Sequence, residues 1–293
     1  MSDRIVFLDR ASLRTDVALA RPAVAHDWVE HQRTTPDLVA ERLRGATIAI
    51  TNKAPITRAT LEACPGLQLI AVAATGVDIV DLAAAADHGV TVRNVPGYAA
   101  GSVAEHVFAL VLSLRRAIAV HRQAVLDGDW TRAPGFCLLA APIEDLAGST
   151  LGIVGSGAIG ARVAELGQAF GMDVLRAERP DAAEVRPGRT PFENVLARAD
   201  VLSLHCPSTA QTRGLIGART LARMKPTALL INTARGDLVD EAAESSAETA
   251  DPPEPIENGI IDLGRVATDA LYLAIDPYPR QPDGVFGPPI EVI

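Results

Sequence analysis

The chain has 293 residues, 48% of them hydrophobic and 22% charged, which is typical of a globular protein large enough for two domains. Its net charge of −9 argues against nucleic acid and anionic membrane surfaces as partners. The N-terminal sequence lacks the form of a signal peptide, and no stretch of about 18 apolar residues could cross a bilayer. The three cysteines show no metal-ligand spacing. We therefore expect a cytoplasmic protein without a metal site that binds a small molecule.

Short apolar runs alternate with helical patterns in the first third of the chain. The runs typical of buried strands are Arg4–Leu8, Ala46–Thr51, Leu67–Ala73 and Val90–Val92. Helical spacing of apolar residues covers Pro36–Leu43, Thr57–Ala63 and Val80–Asp87. Thr57 is a suitable N-cap for the second of these helices. Strands that alternate with helices predict a parallel α/β sheet, and we place this smaller domain at residues 1–97.

A strong helical pattern follows at Ser102–Arg116, with Ser102 as its N-cap and two arginines near its C-terminus. Residues 126–144 are irregular and contain two prolines, so we expect a loop there. Alternation then resumes, which predicts a second parallel sheet. Its strands are expected at residues 151–154, 172–177, 200–204 and 228–231, with helical turns ending at 199 and covering 221–224.

A glycine motif separates the first of these later strands from a helical pattern. Gly155, Gly157 and Gly160 match G-x-G-x-x-G, with an apolar strand before them and helical spacing after them. In this context the first glycine permits a tight turn, the second lets the backbone approach a pyrophosphate, and the third lets helix and strand pack closely. The phosphates would lie on the unpaired amides of the helix N-terminus. The alternative is an ordinary glycine turn.

The next predicted strand ends at Glu178, which lies 21 positions after Gly157. A carboxylate at this spacing typically binds the adenine ribose hydroxyls of a dinucleotide. Glu178 favours NAD over NADP, because a carboxylate repels a 2′-phosphate. Arg179 follows directly and is the kind of residue that accepts a 2′-phosphate, so NADP is the less favoured cofactor. The alternative for Glu178 is a solvated acid at a strand end.

Polar segments follow the two later strands of the predicted sheet. His205, Cys206 and Pro207 come directly after one strand, and residues 232–236 come after the next. Ligands of open α/β sheets bind at the carboxyl ends of the strands. Arg235 could hold a carboxylate there through two parallel hydrogen bonds. The alternative is a surface arginine at a turn.

Several segments together resemble the D-isomer-specific 2-hydroxyacid dehydrogenases, most of all the glycerate dehydrogenases or hydroxypyruvate reductases. Besides the glycine motif they are Ala74–Asp78, Asn94–Tyr98, Ser102–His106, Gly171–Arg179, Leu204–Pro207 and Met224–Asp240. The resemblance implies hydride transfer between NAD and a small 2-hydroxy acid. It also implies a doubly wound Rossmann domain at residues 98–243, a flavodoxin-like fold for residues 1–97, and a homodimer.

The resemblance also implies roles for individual residues. Arg235 would be catalytic, binding the substrate carboxylate and polarising its carbonyl. The substrate carboxylate would also be held by backbone amides of Ala74, Thr75 and Gly76. The cofactor would be bound by Gly155, Gly157, Ala158, Ile159, Gly160, Glu178, Arg179, His205, Pro207, Thr212, Asn232, Thr233 and Ala234. Of these, residues 232–234 would border the nicotinamide ribose, and residues 205 and 207 the adenine side.

The chain departs from the family pattern after Ala243. The family uses a histidine, paired with a glutamate, to protonate the carbonyl oxygen, but no histidine follows His205 here. Loss of a general acid costs about 10²- to 10⁴-fold in rate. We therefore expect a dehydrogenase truncated near residue 243, with the last strands of its second sheet missing and a sheet edge left bare. The alternative is a protein that binds NAD without turnover.

Residues 244–293 form a different kind of segment. Eight of the 20 prolines lie after residue 250, and nine acidic residues but no basic ones lie between Arg235 and Arg265. This composition predicts an irregular, acidic, proline-rich tail. Residues 254–280 resemble part of the YceD-like family, which is linked to ribosomal RNA accumulation. Residues 266–275 could form an amphipathic helix.

Overall fold

The computed structural model describes residues 2–13, 18–240 and 260–262. The chain divides into two compact units. Unit 1 comprises Met1–His106 and Ala161–Val163, and unit 2 comprises Val107–Gly160 and the chain from Ala164 onward. Each unit contains one five-stranded sheet. All the paired strands of both sheets run parallel, as the alternation of strands and helices predicts.

Unit 1 is built on a sheet with the strand order β2-β1-β3-β4-β5. Its strands are β1 (Asp3–Phe7), β2 (His26–Glu30), β3 (Ile48–Thr51), β4 (Leu69–Val72) and β5 (Thr91–Arg93). Its helices are α1 (Val39–Arg42), α2 (Arg58–Ala63) and α3 (Leu82–Asp87), and a 3₁₀ turn (Pro36–Leu38) precedes α1. This strand order is that of flavodoxin. The flavodoxin-like fold is therefore confirmed.

The apolar runs that the sequence shows become the core of unit 1. Val6, Leu8 and Ile70 are fully buried in the cluster that joins the sheet to its helices. Thr57 caps α2 as predicted, since its hydroxyl accepts a hydrogen bond from the Thr60 amide. Strand β2 has no counterpart in the sequence prediction. Its sequence, His-Asp-Trp-Val-Glu, is mostly polar because β2 lies at the sheet edge, where most of its residues are partly or fully exposed.

Unit 2 is built on a sheet with the strand order β10-β9-β8-β6-β7. Its strands are β6 (Thr150–Val154), β7 (Asp173–Arg176), β8 (Val201–Leu204), β9 (Leu229–Asn232) and β10 (Ile260–Asp262). The remaining α-helices among the described residues are α4 (Ala100–Arg115), α5 (Ile118–Leu126), α6 (Asp129–Arg132), α7 (Ala158–Ala169), α8 (Phe192–Arg198) and α9 (Ala218–Leu221). A 3₁₀ turn follows β9 at Gly236–Leu238.

The second sheet is doubly wound, because strands are added on both sides of β6. From β6 the chain passes through α7 to β7 on one side, and from β7 through α8 to β8 on the other. Because parallel crossovers are right-handed, α7 and α8 lie on opposite faces of the sheet. All four residues of β8 are buried, as expected of a strand covered on both faces. The predicted Rossmann fold is confirmed, and its topological switch point lies between β6 and β8.

Three local predictions are wrong. Ser102 does not cap α4, because the helix begins at Ala100 and the Ser102 hydroxyl donates to the Ala99 carbonyl from within it. The segment from 126 to 144 is not wholly a loop, since α5 ends and α6 lies there. The left-handed backbone of Ala117, with φ of 47°, separates α4 from α5. Helix α9 lies about one turn before the expected 221–224.

The prediction of a bare sheet edge at β9 is also wrong. Residues Ile260–Asp262 of the tail pair with β9 in parallel, with Ile260 opposite Leu230 and Asp262 opposite Asn232. The β9 edge is thus covered by a short parallel strand from the tail, which is now the outermost strand on that side of the sheet. The predicted amphipathic helix at 266–275 and most of the segment 254–280 lie outside the described residues.

Candidate functional site

The glycine turn joins β6 to α7 at the switch point of the second sheet. Gly155 has φ of 102°, which disfavours any residue with a side chain. A Cβ there would also lie 2.5 Å from the carbonyl carbon of His205, so the turn lies directly against the end of β8. A Cβ on Gly160 would collide with the carbonyl of Gly155. These two glycines therefore allow the close packing that the motif predicts.

Gly157 differs from these two glycines because it faces open space. No atom lies within 4 Å of the position that its Cβ would take. It is the N-cap of α7, whose first amides have no partner within the helix. A backbone without side chain at the positive end of a 12-residue helix is a suitable seat for a phosphate. The turn therefore fits the pyrophosphate of a dinucleotide.

A cavity of about 740 Å³ opens beside this turn. Its volume is within the range of cofactor sites. It is lined by Val154, Gly155, Ser156, Gly157, Ala177, Glu178, Arg179, Pro180, Asp181, Arg186, Arg189, His205, Cys206, Pro207, Thr209, Gln211, Thr212 and Leu215. The lining comes from the carboxyl ends of β6, β7 and β8 and the segments that follow them. Ligands of open α/β sheets bind at this position.

The cavity brings together some of the sequence-predicted cofactor residues but not all. Those that line it are Gly155, Gly157, Glu178, Arg179, His205, Pro207 and Thr212. Ala158, Ile159 and Gly160 form the first turn of α7 and do not line it. Asn232, Thr233, Ala234 and Arg235 follow β9 and do not line it either. Ala74, Thr75 and Gly76 belong to unit 1.

Glu178 is a buried and fully paired carboxylate, with only 3% of its surface exposed. The side chain of Arg186 donates from Nη2 to Oε1 at 2.6 Å and from Nε to Oε2 at 2.7 Å. The backbone amides of Arg179 and Arg186 donate to the same two oxygens at 2.9 and 3.2 Å. This pairing with Arg186 above all, and then with the Arg179 amide, lowers the pKa of Glu178 to about 2. The alternative of a solvated strand-end acid is therefore wrong.

His205 lies at the end of β8, with its ring held inside the unit. Its Nε2 lies 2.9 Å from the hydroxyl of the buried Ser203, and its backbone amide donates to Val154 at 2.7 Å. Burial lowers the pKa of His205 to about 4. The imidazole is therefore neutral near pH 7 and is a poor proton donor there.

The segment after His205 is held in place by side-chain hydrogen bonds. The Thr212 hydroxyl donates to the Pro207 carbonyl at 2.6 Å and accepts from the Thr209 amide at 2.8 Å. Ser208 donates to the Asp237 carboxylate at 2.6 Å. These contacts close residues 207–212 into a compact wall of the cavity and tie it to the segment after β9.

Asn232 shapes the turn after β9. Its Nδ2 donates to the Arg235 carbonyl at 2.7 Å, and its Oδ1 accepts from the Ala234 amide at 3.1 Å. The side chain of Arg235 is exposed, and its Nη1 donates to the Ala234 carbonyl at 2.9 Å. Within the described ranges, the buried hydroxyl oxygen of Thr233 has no hydrogen-bond partner. The turn therefore carries an exposed arginine side chain and a buried hydroxyl that has no partner within the described residues.

In unit 1, the predicted substrate loop follows β4. The Thr75 hydroxyl donates to the Val95 carbonyl at 3.0 Å, and the Asn94 side chain donates to the Thr75 carbonyl at 2.6 Å. The Val95 amide donates to the Ala74 carbonyl at 3.0 Å. Ala74 and Thr75 are thus anchored through their carbonyls and one hydroxyl to the segment that follows β5.

The sequence reasoning missed Arg186, which is the main partner of Glu178. It lies in the irregular segment between β7 and α8, eight residues after Glu178. No spacing rule links these two residues. The one available signal is the density of arginines, because Arg179, Arg186 and Arg189 all fall within this segment and all line the cavity.

Comparison with known proteins gives a family match over the second unit. Residues 108–247 match the model of the NAD-binding domain of the D-isomer-specific 2-hydroxyacid dehydrogenases. A glycerate dehydrogenase from Methylorubrum extorquens is 48% identical over 246 residues, which cover 83% of this chain and 76% of the relative. A hydroxypyruvate reductase from Blautia hydrogenotrophica is 35% identical over 211 residues, covering 71% of this chain and 66% of the relative.

Solved structures agree with the sequence matches. A D-lactate dehydrogenase from Aquifex aeolicus, complexed with NAD and lactic acid, superimposes with a TM-score of 0.66 at 29% identity. The match covers 82% of this chain and 71% of that structure. Among the helices of the described ranges, none has the length and apolar character that crossing a membrane requires.

Proposed function

The chain belongs to the D-isomer-specific 2-hydroxyacid dehydrogenase family, and we propose that it transfers hydride between NAD(H) and a small 2-hydroxy or 2-oxo acid. Glycerate and hydroxypyruvate are the proposed pair, because two relatives are named for them. The observation that carries the proposal is the cavity beside the glycine turn, where a phosphate seat and Glu178 lie together.

The proposed cofactor site is supported in part by this cavity and in part by the family resemblance. The pyrophosphate would lie on Gly155, Gly157 and the first amides of α7, those of Ala158, Ile159 and Gly160. The adenine side would be formed by Glu178, Arg179, His205, Pro207 and Thr212. The nicotinamide ribose would lie against Asn232, Thr233 and Ala234, and the buried Thr233 hydroxyl there has no hydrogen-bond partner among the described residues. NAD supplies or accepts the hydride.

The proposed substrate groups are those that the family resemblance implies. Arg235 would bind the substrate carboxylate and the 2-oxygen, because its exposed guanidinium offers a fork that matches a carboxylate. Backbone amides of Ala74, Thr75 and Gly76 would hold the carboxylate as well. Positive charge beside the carbonyl oxygen stabilises the negative charge that develops as hydride arrives.

The proton for the carbonyl oxygen needs a separate source. No histidine follows His205 in the chain, and His205 itself is neutral near pH 7. We propose that water supplies the proton, at a rate about 10²- to 10⁴-fold below that of a relative with a histidine general acid. The missing histidine also motivates a second candidate, an NAD-binding protein without turnover.

Two assays distinguish these functions. The purified chain, mixed with NADH and hydroxypyruvate, should consume NADH faster than buffer alone. The rate should saturate as the concentration of either NADH or hydroxypyruvate is raised. NADH titration by nucleotide fluorescence should saturate under either candidate. Saturable binding without consumption would favour the second candidate, and absence of binding would reject both.

We also propose a homodimer in the cytoplasm, formed through residues 118–143. This segment exposes large apolar side chains, with Phe136 95% and Leu139 74% exposed. Exposed apolar patches of this kind mark interaction surfaces. Sedimentation of the purified chain at micromolar concentration tests the dimer.

The family sequence is proposed to end near residue 243. The family match ends at 247, and the glycerate dehydrogenase is covered over 76% of its length. We propose that residues 244–293 are a foreign tail whose part at 254–280 derives from the YceD-like family. The proposed domains remain 1–97 for substrate and 98–243 for NAD. Resequencing the gene across codons 240–260 tests the junction.

A further inference from the structure

The carboxylate of Glu178 has no acceptor capacity left for a ligand. A carboxylate offers about four lone-pair sites. Arg186 fills three of them, two through its side chain and one through its amide, and the Arg179 amide fills the fourth. A ribose can therefore bind to Glu178 only if the Arg186 side chain leaves, since the backbone amides are fixed by the loop.

The Arg186 side chain is able to leave. It is 60% exposed, while the Glu178 side chain that it covers is 2% exposed. Because most of the Arg186 side chain already faces solvent, the guanidinium can leave the carboxylate without displacing the core. Two ribose hydroxyls would replace the two donors that Arg186 withdraws, so the buried carboxylate would not be left unpaired.

The surroundings of Glu178 are positively charged despite its own charge. Three arginines (Arg179, Arg186 and Arg189) and two carboxylates (Glu178 and Asp181) line this end of the cavity. The bidentate contact of Arg186 cancels the charge of Glu178. A phosphate that enters here therefore meets a net positive field while Arg186 stays in place.

We propose that Arg186 sets the cofactor specificity of this site and lets it accept NADPH as well as NADH. With NADH, the ribose hydroxyls displace Arg186 from Glu178. With NADPH, Arg186 keeps Glu178 paired and, together with Arg179, binds the 2′-phosphate. The inference rests on the proposed function, since it needs a dinucleotide in this cavity.

The test measures dissociation constants for NADH and NADPH by nucleotide fluorescence, which requires no turnover. For the unmodified chain we expect the two constants to agree within about tenfold. Arg186→Gln should weaken NADPH at least about tenfold and leave NADH unchanged or tighter. Glu178→Gln should weaken NADH and leave NADPH within about threefold. Arg219→Gln, at an exposed arginine of α9 outside the cavity, is the matched control and should change neither constant.

Salt provides a second readout that folding defects do not produce. Binding of NADPH should weaken more steeply with ionic strength than binding of NADH, and Arg186→Gln should remove that difference. An NADH preference above about tenfold in the unmodified chain, or an unchanged ratio in Arg186→Gln, would overturn the inference alone. Failure of both nucleotides to bind would overturn the proposed function and the inference with it.

Discussion

At the residue scale, two glycines of the turn have different roles, one in stability and one in cofactor binding. Gly155 combines a left-handed backbone with a close approach to His205, whereas Gly157 has an ordinary φ of −71° and open space beside it. A methyl group at Gly155 must therefore displace the backbone of His205 and Cys206, directly after β8. A methyl group at Gly157 projects into the cavity that we assign to the pyrophosphate.

We expect Gly155→Ala to destabilise the chain by about 1–3 kcal/mol, the usual range for a strained backbone site. Gly157→Ala should cost less stability than Gly155→Ala, because the new methyl group meets no atom and only the N-cap preference for glycine over alanine is lost. It should weaken NADH binding at least about tenfold, because the methyl group occupies the phosphate seat. Urea unfolding and NADH titration of both variants test this pair. Equal stability losses would contradict the assignment of the two glycines.

His205 gives the second residue-scale prediction, which concerns pH. Its folded pKa of about 4 lies below its ordinary value near 6.5. As pH falls from about 6.5 to about 4, the unfolded chain gains a proton at this position that the folded chain refuses, so the free energy of unfolding decreases. The full effect is about 3 kcal/mol.

The variant His205→Gln should therefore lose stability less steeply than the unmodified chain over this pH range, measured by urea unfolding. The carboxylate of Glu178 does not disturb the comparison. Its contribution is complete above about pH 4.5 and is lost only as pH falls toward its folded pKa of about 2, equally in both proteins. Parallel stability curves for the two proteins would contradict the burial of a neutral imidazole.

At the element scale, the sequence prediction succeeded where an element has a strong local cause. The buried strands β6 and β8 follow from continuous apolar runs, and α2 follows from its Thr57 cap. Edge strand β2 was missed because a strand with little burial needs no apolar pattern. Strand β10 could not be predicted, because its pairing with β9 depends on a sequence-distant partner.

Thr57, the N-cap of α2, and Ser102, in the first turn of α4, provide a test at this scale. Thr57→Ala removes the hydrogen bond to the Thr60 amide and should cost about 1 kcal/mol. Ser102→Ala is the matched control, since Ser102 is exposed inside α4 and alanine is the better helix former. Urea unfolding should show a loss for the first variant and none for the second. A loss of stability in Ser102→Ala would show that Ser102 acts as an N-cap and would contradict its place inside α4.

The site shows the same division between local and distant causes. Spacing rules found the glycine turn and Glu178, and strand ends pointed to His205 and Arg235. Arg186 was not found, because its pairing with Glu178 depends on how an irregular loop folds back over eight residues. No periodicity records such a contact. The sequence also could not reveal that Glu178 is saturated before any cofactor arrives.

At the scale of the whole molecule, the exposed apolar side chains of residues 118–143 predict assembly. Phe136→Ser should raise the dimer dissociation constant at least about tenfold, because large aromatic side chains dominate interfaces. Val24→Ser in unit 1, at a valine that is 62% exposed, is the control and should leave the dimer intact. Sedimentation equilibrium measures both. A monomeric unmodified chain, or equal constants for the two variants, would contradict the proposed interface.

The most direct test of the whole account is NADH consumption with hydroxypyruvate by the unmodified chain and by Arg235→Gln. Arg235 lies outside the cavity beside the glycine turn, so its loss should leave NADH affinity within about threefold. Consumption by the unmodified chain should be slow, saturable and above the buffer rate, and the variant should lose at least about a hundredfold of it. A buffer-level rate for the unmodified chain, or equal rates for both proteins, would contradict the proposed dehydrogenase.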